Sequence, residues 1–371
     1  MMKTYVWTLP TRIFHALLVI FVISAFISSE WDKYLTLHVA FGSAIGVLVI
    51  YRVIWGFIGP KYSKFSDFNL SIYPLKEYIF SMFNPKKEYV GHNPAAGYTM
   101  VAILIVLLLL IITGFLTYGI QENRGVFAFL HSSYFREMEL FEEIHEFLGG
   151  LLYLLIGAHI AGVLFDKLLH SKRGTLESIV KGYKNIEGED TKLSFLQILL
   201  SIIGIGLSIY VLIYILSVKD NPVTLGYNEV IDYKKENTLF VDECASCHTL
   251  YPPSLLPKKS WNIMMADLEN HFGDDASLES EDAQNILRYL LNNSAEDSTS
   301  EASVNILKTL ENKDTIAITQ TPFWKSRHKD IDKKYFESEK VKTKANCKSC
   351  HMDVEKGLIE DGNIKMPELG S

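Results

Sequence analysis

Residues 144–165 read IHEFLGGLLYLLIGAHIAGVLF, an apolar run long enough to cross the hydrocarbon core of a membrane. Two histidines interrupt it, and a titratable side chain inside a span is costly enough to indicate a functional site. His145 and His159 are 14 residues apart, close to four helical turns. They therefore lie on one helix face, separated by about 21 Å along the axis. This geometry predicts two stacked groups that each take one ligand from the helix.

Four further apolar runs predict a membrane domain with five spans in total. A signal peptide is the alternative for the first run. We reject it because no small-x-small cleavage site follows and because Arg12 and His15 stand at the start of the run. The four runs cover residues 13–28, 35–58, 96–118 and 193–218.

The distribution of Lys and Arg predicts how these spans are oriented. With the N-terminus inside, fourteen of these residues before Val218 lie in cytoplasmic segments, and the external loops hold only Lys33, Arg124 and Arg136. An odd number of spans then places everything after Val218 outside. Residues 1–218 carry a net charge of +1 and residues 219–371 a net charge of −8. We expect a four-helix membrane domain (1–192), a fifth span acting as a tether (193–218) and an acidic extracytoplasmic domain (219–371).

All four cysteines of the chain belong to two C-x-x-C-H motifs, the attachment pattern of c-type haem. Disulfides, a zinc ribbon and a redox dithiol are the alternatives. A four-thiolate zinc site gives no reason for a histidine after each pair, and no α/β pattern supports a thioredoxin-type dithiol. The motifs are Cys244-Ala-Ser-Cys247-His248 and Cys347-Lys-Ser-Cys350-His351.

The second axial ligands of these two haems are expected to be histidines. His271 follows His248 by 23 positions, and His328 precedes His351 by the same number. Bis-histidine ligation is the preferred interpretation. The alternative is ligation by methionine, which raises the reduction potential relative to two imidazoles. The candidate methionines are Met264, Met265, Met352 and Met366.

Two more histidines in the apolar runs complete a second set of sites. His15 is near the inner end of the first span and is paired by depth with His159, whereas His38 opens the second span and is paired with His145. A hydrogen-bonded interfacial histidine is the alternative for any one of them. Four histidines, two at each depth, favour two haem b groups. Glycines on the same helices permit close approach of a macrocycle, namely Gly42, Gly46, Gly149 and Gly150.

Residues 1–190 resemble the bacterial membrane cytochrome b family that includes the hydrogenase b-type subunits. The resemblance implies haem ligation by His15, His38, His145 and His159. Ala16 departs from the pattern, since an aromatic residue often follows the first ligand there. The matching stretches are Trp7, Pro10-Thr11-Arg12, Phe14-His15, Leu37-His38, Arg52, Trp55-Gly56, Gly59-Pro60, Phe65-Ser66-Asp67, Gly91-His92-Asn93-Pro94 and His145-Glu146.

Residues 238–367 are similar to the small dihaem cytochrome c family, in which His271 and His328 would be the distal ligands. The matching stretches are Glu243-Cys244 to His248, Tyr251-Pro252-Pro253, Leu255-Leu256-Pro257, Ser260-Trp261, Met264-Met265, Asp267-Leu268, His271-Phe272-Gly273, Thr321-Pro322, His328 and Cys347 to His351.

Together these features predict an all-α membrane protein with two haem b and two haem c, located in the bacterial inner membrane with its C-terminal domain in the periplasm. The expected function is electron transfer between membrane quinone and a periplasmic redox protein, which would make the protein a quinol:cytochrome c-type oxidoreductase. The alternatives are a relay subunit that passes electrons from a periplasmic hydrogenase or dehydrogenase to quinone, and a haem-based gas sensor. No nucleic-acid-binding patch is evident.

Three residues keep two interpretations each. His92 is either a neighbour of a haem propionate or quinone, or a turn residue before Pro94. Arg12 and Arg52 either pair with haem propionates or only follow the positive-inside rule.

Overall fold

The computed structural model describes residues 3–31, 34–81, 83, 87–219, 221–310 and 314–368. It confirms the all-α prediction, since the described residues form helices and one two-stranded antiparallel sheet, β1 (Thr4–Tyr5) with β2 (Tyr183–Lys184). The chain forms two compact units. The first contains Met1–Tyr118 and Leu140–Leu225, and the second contains Gly119–Glu139 and Gly226–Ser371.

In the described part of the chain, five long helices have the length and composition of membrane spans, with mean hydropathy between 1.9 and 3.0. Four of them cover their predicted runs, three with a few added residues, and the fifth lies within the predicted run 193–218. The helices up to residue 217 are α1 (Leu9–Ser29), α2 (Leu35–Ile58), α3 (Ile72–Phe80), α4 (Pro94–Glu122), α5 (Ser133–Met138), α6 (Leu140–Leu169), α7 (Thr175–Lys181) and α8 (Phe195–Ser217); the spans are α1, α2, α4, α6 and α8.

Helix α2 is the centre of the first unit and packs against both α1 and α8. Small and hydroxyl residues allow the close approach of α8: Ser208 donates a hydrogen bond to Ala44 O at 2.8 Å, and Tyr51 OH bonds Ser201 Oγ at 3.2 Å. Interhelical hydrogen bonds of this kind stabilise helix pairs in apolar surroundings. The fifth span is thus an integral part of the bundle as well as the predicted tether.

The segment between α6 and α8 contains more regular secondary structure than its polar composition predicts. It contains α7 and β2, and β2 pairs with β1 near the N-terminus. Trp7 Nε1 donates to Ser178 Oγ at 3.0 Å, and Arg12 donates to the carbonyl of Val180. These contacts fix the start of α1 against the segment that follows α6.

The second unit consists of short helices around two apolar clusters, one centred on Phe240, Leu256 and Trp261 and the other on Ile306 and Leu310. The helices are α9 (Tyr233–Glu236), α10 (Thr238–Cys244), α11 (Lys258–Ala266), α12 (Ser280–Asn292), α13 (Glu301–Leu310), α14 (Pro322–Arg327) and α15 (Lys333–Phe336).

Residues 119–139, which connect α4 to α6, belong to this second unit. Arg124 forms an ion pair with Glu360 at 2.5 Å, and Lys308 forms one with Glu139 at 2.6 Å. Arg136 is 4% exposed and donates to the carbonyl of Thr299 at 3.3 Å. This connecting segment is therefore packed with the C-terminal residues by charged and polar contacts.

Candidate functional site

His15 and His159 face each other across the first unit. His15 is on α1 and His159 is on α6, and their ring centres are 6.4 Å apart with the ring planes inclined at 51°. The structure thus brings together the two histidines that were paired from their depth in the sequence.

His38 and His145 form a second pair, with ring centres 6.1 Å apart and planes at 83°. The Nδ1 of His38 bonds the carbonyl of Ala25 at 2.9 Å, which requires the proton on Nδ1. The Nδ1 of His145 is 3.0 Å from Thr113 Oγ1, and Thr113 donates its own proton to Leu109 O at 2.9 Å. His145 is consequently the donor. In both rings Nε2 is left as the free ligand atom.

Open space surrounds this outer pair. A cleft with about 340 Å³ of empty space, part of it open to the surroundings, is lined by residues of α2, α4 and α6, including both histidines and Gly42. A Cβ added at Gly42, Gly149 or Gly150 would meet no heavy atom within 4 Å, whereas one at Gly46 would contact Ile111. Gly42 therefore borders the free volume beside the histidines, whereas Gly149 and Gly150 border open space and Gly46 serves helix packing.

Two functional candidates on α4 were missed by sequence reasoning, Thr113 and Gly114. Thr113 orients the imidazole of His145, and a Cβ on Gly114 would stand 2.9 Å from His145 Cε1. A Thr-Gly pair inside an otherwise aliphatic span was the available signal. A histidine that binds a metal typically donates its other ring N–H to a neighbouring acceptor, which fixes the orientation of the ring.

The C-terminal unit also brings its histidines together in pairs. His248 and His271 have ring centres 6.1 Å apart at 24°, and His328 and His351 have theirs 6.1 Å apart at 58°. The Nδ1 of His248 bonds Thr249 O at 2.7 Å. The Nδ1 of His328 bonds Trp324 O at 2.8 Å, and its ring stacks on Trp324 with the centres 4.2 Å apart.

The four methionines considered as alternative ligands lie against an apolar cluster or at the surface. Met264 and Met265 pack against the apolar cluster around Phe240 and Trp261. Met352 and Met366 are 47% and 43% exposed. In each C-terminal pair, the ring facing the motif histidine is an imidazole.

Burial favours the uncharged forms of two motif cysteines and of three of the paired histidines. Cys244, Cys247, Cys347 and Cys350 are free thiols. Burial raises the pKa of Cys244 and of Cys347 to about 11, so both are neutral thiols near pH 7. Burial also lowers the pKa of His271, His328 and His351, which favours the neutral imidazole that can coordinate iron.

The spacing of all four pairs fits a six-coordinate iron. A metal–imidazole bond is about 2 Å long and the ring nitrogen lies about 1.1 Å from the ring centre, so two imidazoles on one metal place their centres about 6 Å apart. The observed separations are 6.1 to 6.4 Å. The four pairs, with the open volume near His38 and His145, are therefore compatible with two haem b and two haem c.

The other three histidines lie outside these pairs. His131 bonds the carbonyl of Ile120 at 2.6 Å, and His170 bonds Asp166 at 3.1 Å, so both have structural roles. His92 lies between Trp7 and Phe68, with its ring centre 4.8 Å from each of theirs.

Comparisons with known proteins match the two halves separately. The family model for prokaryotic cytochrome b561 matches residues 6–182, and that for dihaem cytochrome c matches residues 240–359. The chain is 25% identical over 165 residues to the probable Ni/Fe-hydrogenase 1 B-type cytochrome subunit of Escherichia coli K12, an alignment covering 40% of this chain and 69% of that protein. It is 27% identical over 160 residues to the corresponding probable subunit of Rhizobium leguminosarum, with 39% and 66% covered.

Two solved structures are similar to the C-terminal part. The dihaem cytochrome c from Rhodobacter sphaeroides is 34% identical, with 35% of this chain and 99% of that chain covered and a TM-score of 0.31. That from Shewanella baltica OS155 is 31% identical, with 36% and 96% covered and a TM-score of 0.30. Residues 240–359 thus belong to the dihaem cytochrome c family, and residues 6–182 match the family model for prokaryotic cytochrome b561.

Proposed function

We propose that this membrane electron-transfer protein carries electrons between the membrane quinone pool and a periplasmic redox protein, with two haem b in the first unit and two haem c in the second. The observation that carries the proposal is the set of four imidazole pairs, each with ring centres 6.1 to 6.4 Å apart. The ligands would be His15 with His159, His38 with His145, His248 with His271, and His351 with His328. Bound haem supplies reversible one-electron chemistry.

The protein's own contribution is to fix the ligands and leave no open coordination position. The Nδ1 hydrogen bonds of His38, His145, His248 and His328 set the rotation of each ring and direct Nε2 towards its partner. Two fixed imidazoles per iron favour electron transfer over binding of oxygen or nitric oxide, because a gas would have to displace a ligand. This arrangement disfavours a haem-based sensor.

Two observations support an N-terminus in the cytoplasm and a C-terminal domain in the periplasm. Lys and Arg are concentrated in the segments assigned to the cytoplasm. Residues 119–139, assigned to an external loop, pack with residues 226–371 in one unit through the Arg124–Glu360 and Lys308–Glu139 ion pairs. Segments that pack together must lie on the same side of a bilayer. An odd number of spans gives that arrangement.

The experiment uses purified full-length protein. A pyridine haemochrome spectrum should count two b-type and two c-type haems. Addition of a quinol to the oxidised protein in liposomes should then reduce the haem c. If dithionite reduces the haem c but every quinol tested leaves it oxidised, the assignment of a quinol as electron donor is wrong.

The second candidate is a relay subunit that passes electrons from a periplasmic hydrogenase or dehydrogenase to quinone. The similarity of residues 6–182 to the probable B-type cytochrome subunits of Ni/Fe hydrogenases favours it. Here a large metalloenzyme should copurify with the chain from its native membrane, and the electrons should flow from haem c to quinone. Reduction of a menaquinone analogue by protein with pre-reduced haem c distinguishes this direction from the first.

A further inference from the structure

Three basic side chains of the first unit converge on one buried place. Arg52 is on α2, Lys184 is on β2 and His92 precedes α4, and the first two are only 4% and 5% exposed. Trp7 contacts both Lys184 and His92, and Phe68 contacts both Arg52 and His92, so the three basic groups are close neighbours. Phe14, next to His15, has its ring centre 6.0 Å from that of Tyr51, next to Arg52, which places the cluster near the His15–His159 pair. The pKa of His92 is lowered to about 3, mainly by burial.

The two cations of this cluster, Arg52 and Lys184, have few hydrogen-bond partners and no ion-pair partner within the described ranges. The Nη2 of Arg52 donates to Met100 Sδ at 3.6 Å, a weak acceptor, and its Nη1 is buried without a hydrogen-bond partner. The Nζ of Lys184 donates to Gly91 O at 2.7 Å. Within the described ranges, neither cation has a carboxylate at ion-pair distance. The carboxylate that acts on Lys184 is Asp166, which is itself paired with His170 and Arg173. Burial lowers the pKa of Lys184 to about 8, so its amine is still a cation near pH 7. A buried charge is expensive unless an opposite charge neutralises it.

Aromatic rings hold the cations in place without neutralising them. The guanidinium of Arg52 is 5.3 Å from the ring centre of Phe65 and 5.9 Å from that of Phe68, and Lys184 Nζ is 5.7 Å from that of Trp7. The ring of His92 lies between Trp7 and Phe68, and its buried Nδ1 also has no hydrogen-bond partner. Cation–π contacts orient a cation but leave its net charge intact. The cluster is thus a preformed site for an anion.

We propose that Arg52, Lys184 and His92 bind the two propionate carboxylates of the inner haem b. This inference rests on the proposed function, which assigns that haem to His15 and His159. Two fixed positive charges match the two carboxylates of one haem, and the buried Nδ1 of His92 supplies a third polar atom. The proposal also gives Arg52 a specific role beyond the positive-inside rule. It gives the same role to Lys184, which lies after the fourth span.

The test compares full-length Arg52→Gln and Lys184→Met with wild type by spectroelectrochemical titration and pyridine haemochrome. Removal of a positive charge beside one haem destabilises its reduced form, so each variant should lower the midpoint potential of one haem b only. The affinity for that haem should fall about tenfold, as it does when hydrogen-bond partners of metal-bound groups are removed. Arg52→Lys, which keeps the charge, should stay near wild type. The matched control is Lys61→Met, because Lys61 is exposed and paired with Glu189 at 2.5 Å.

The proposal is overturned if Arg52→Gln and Lys184→Met both behave like Lys61→Met. If Arg52→Gln does not fold, Lys184→Met is compared with Arg52→Lys and Lys61→Met instead. An unchanged haem b potential in Lys184→Met then refutes the proposal. Reconstitution with haem dimethyl ester identifies the source of the carboxylate: wild type should bind the ester about tenfold more weakly than haem. Equal binding of ester and haem would mean that the cluster holds a free anion, and would also refute the proposal. Wild-type protein that contains no haem b would instead refute the proposed function.

Discussion

The two units of this protein build the same kind of imidazole pair by different means. In the first unit the partners come from separate long helices, more than 100 positions apart in the chain. In the second unit the two partners are 23 positions apart and lie in turns beside short helices. One histidine of each pair belongs to a C-x-x-C-H motif. Ring-centre separations nevertheless agree within 0.3 Å, at 6.1 to 6.4 Å.

The difference follows from what stabilises each unit. A membrane helix satisfies its backbone hydrogen bonds internally, so α1, α2 and α6 can position histidines by packing alone. The second unit has short helices and small apolar clusters, and we expect it to need covalently attached haem to fold. We therefore expect the protein to hold the ligands of the membrane unit, and the C-terminal haems to help stabilise the second unit.

The largest expected effect comes from removing both ligands on α6. His145→Ala with His159→Ala should abolish both haem b groups, because non-covalent haem then keeps one axial ligand per site. The two haem c groups should remain, since their attachment is through Cys244, Cys247, Cys347 and Cys350. A pyridine haemochrome spectrum of the purified variant measures both classes at once.

His271→Ala is the corresponding change in the second unit, and His131→Ala is the control. His271→Ala should keep its haem attached but give a five-coordinate spectrum, and His131→Ala should leave all four haems unaltered. Retention of both b-type haems after the double substitution on α6 would contradict the ligand assignment in the membrane unit.

A smaller effect is expected from Gly114→Ala, which tests whether helix packing positions His145. The added Cβ would stand 2.9 Å from His145 Cε1, so the imidazole has to move. Overpacking of this kind costs about 1–3 kcal/mol, which would weaken retention of the outer haem b about tenfold. Gly206→Ala on α8 is the control, because its Cβ meets nothing within 4 Å. Equal haem b content in the two variants would show that the ring position does not depend on this contact.

Much of this architecture could be predicted from the sequence because the signals are periodic or fixed in spacing. Apolar runs gave the five spans, and the 14-residue interval between His145 and His159 placed them on one face. The depth of His15 and His38 in their spans indicated which partner each one meets. The C-x-x-C-H motifs likewise need no tertiary information.

The parts that escaped prediction depend on contacts between distant segments. Pairing of β1 with β2 joins residues about 180 positions apart, which no local pattern reveals. The roles of Thr113 and Gly114 depend on the side of α4 that meets His145, and an aliphatic span has too little polar contrast to show it. Lys184 lies in a basic loop whose charge is explained by the positive-inside rule, so its burial could not be foreseen.

The smallest expected effect concerns Thr113, whose hydroxyl accepts the Nδ1 proton of His145 at 3.0 Å. Thr113→Val keeps the volume and removes this acceptor. A hydrogen bond of this type contributes about 1 kcal/mol. Because it makes the imidazole a stronger donor to the oxidised iron, its loss should raise the midpoint potential of one haem b by about 40 mV. Both b-type haems should remain bound.

Thr99→Val is the matched control on the same helix, since Thr99 Oγ1 only donates to Ala95 O at 3.0 Å, as Thr113 does to Leu109. The two variants lose the same kind of bond to the helix backbone, and only Thr113→Val also loses a bond to a proposed ligand. A shift confined to Thr113→Val would assign the change in potential to the imidazole. Identical titrations for the two variants would mean that Thr113 stabilises α4 without tuning the site, and that the membrane pairs depend on helix packing alone.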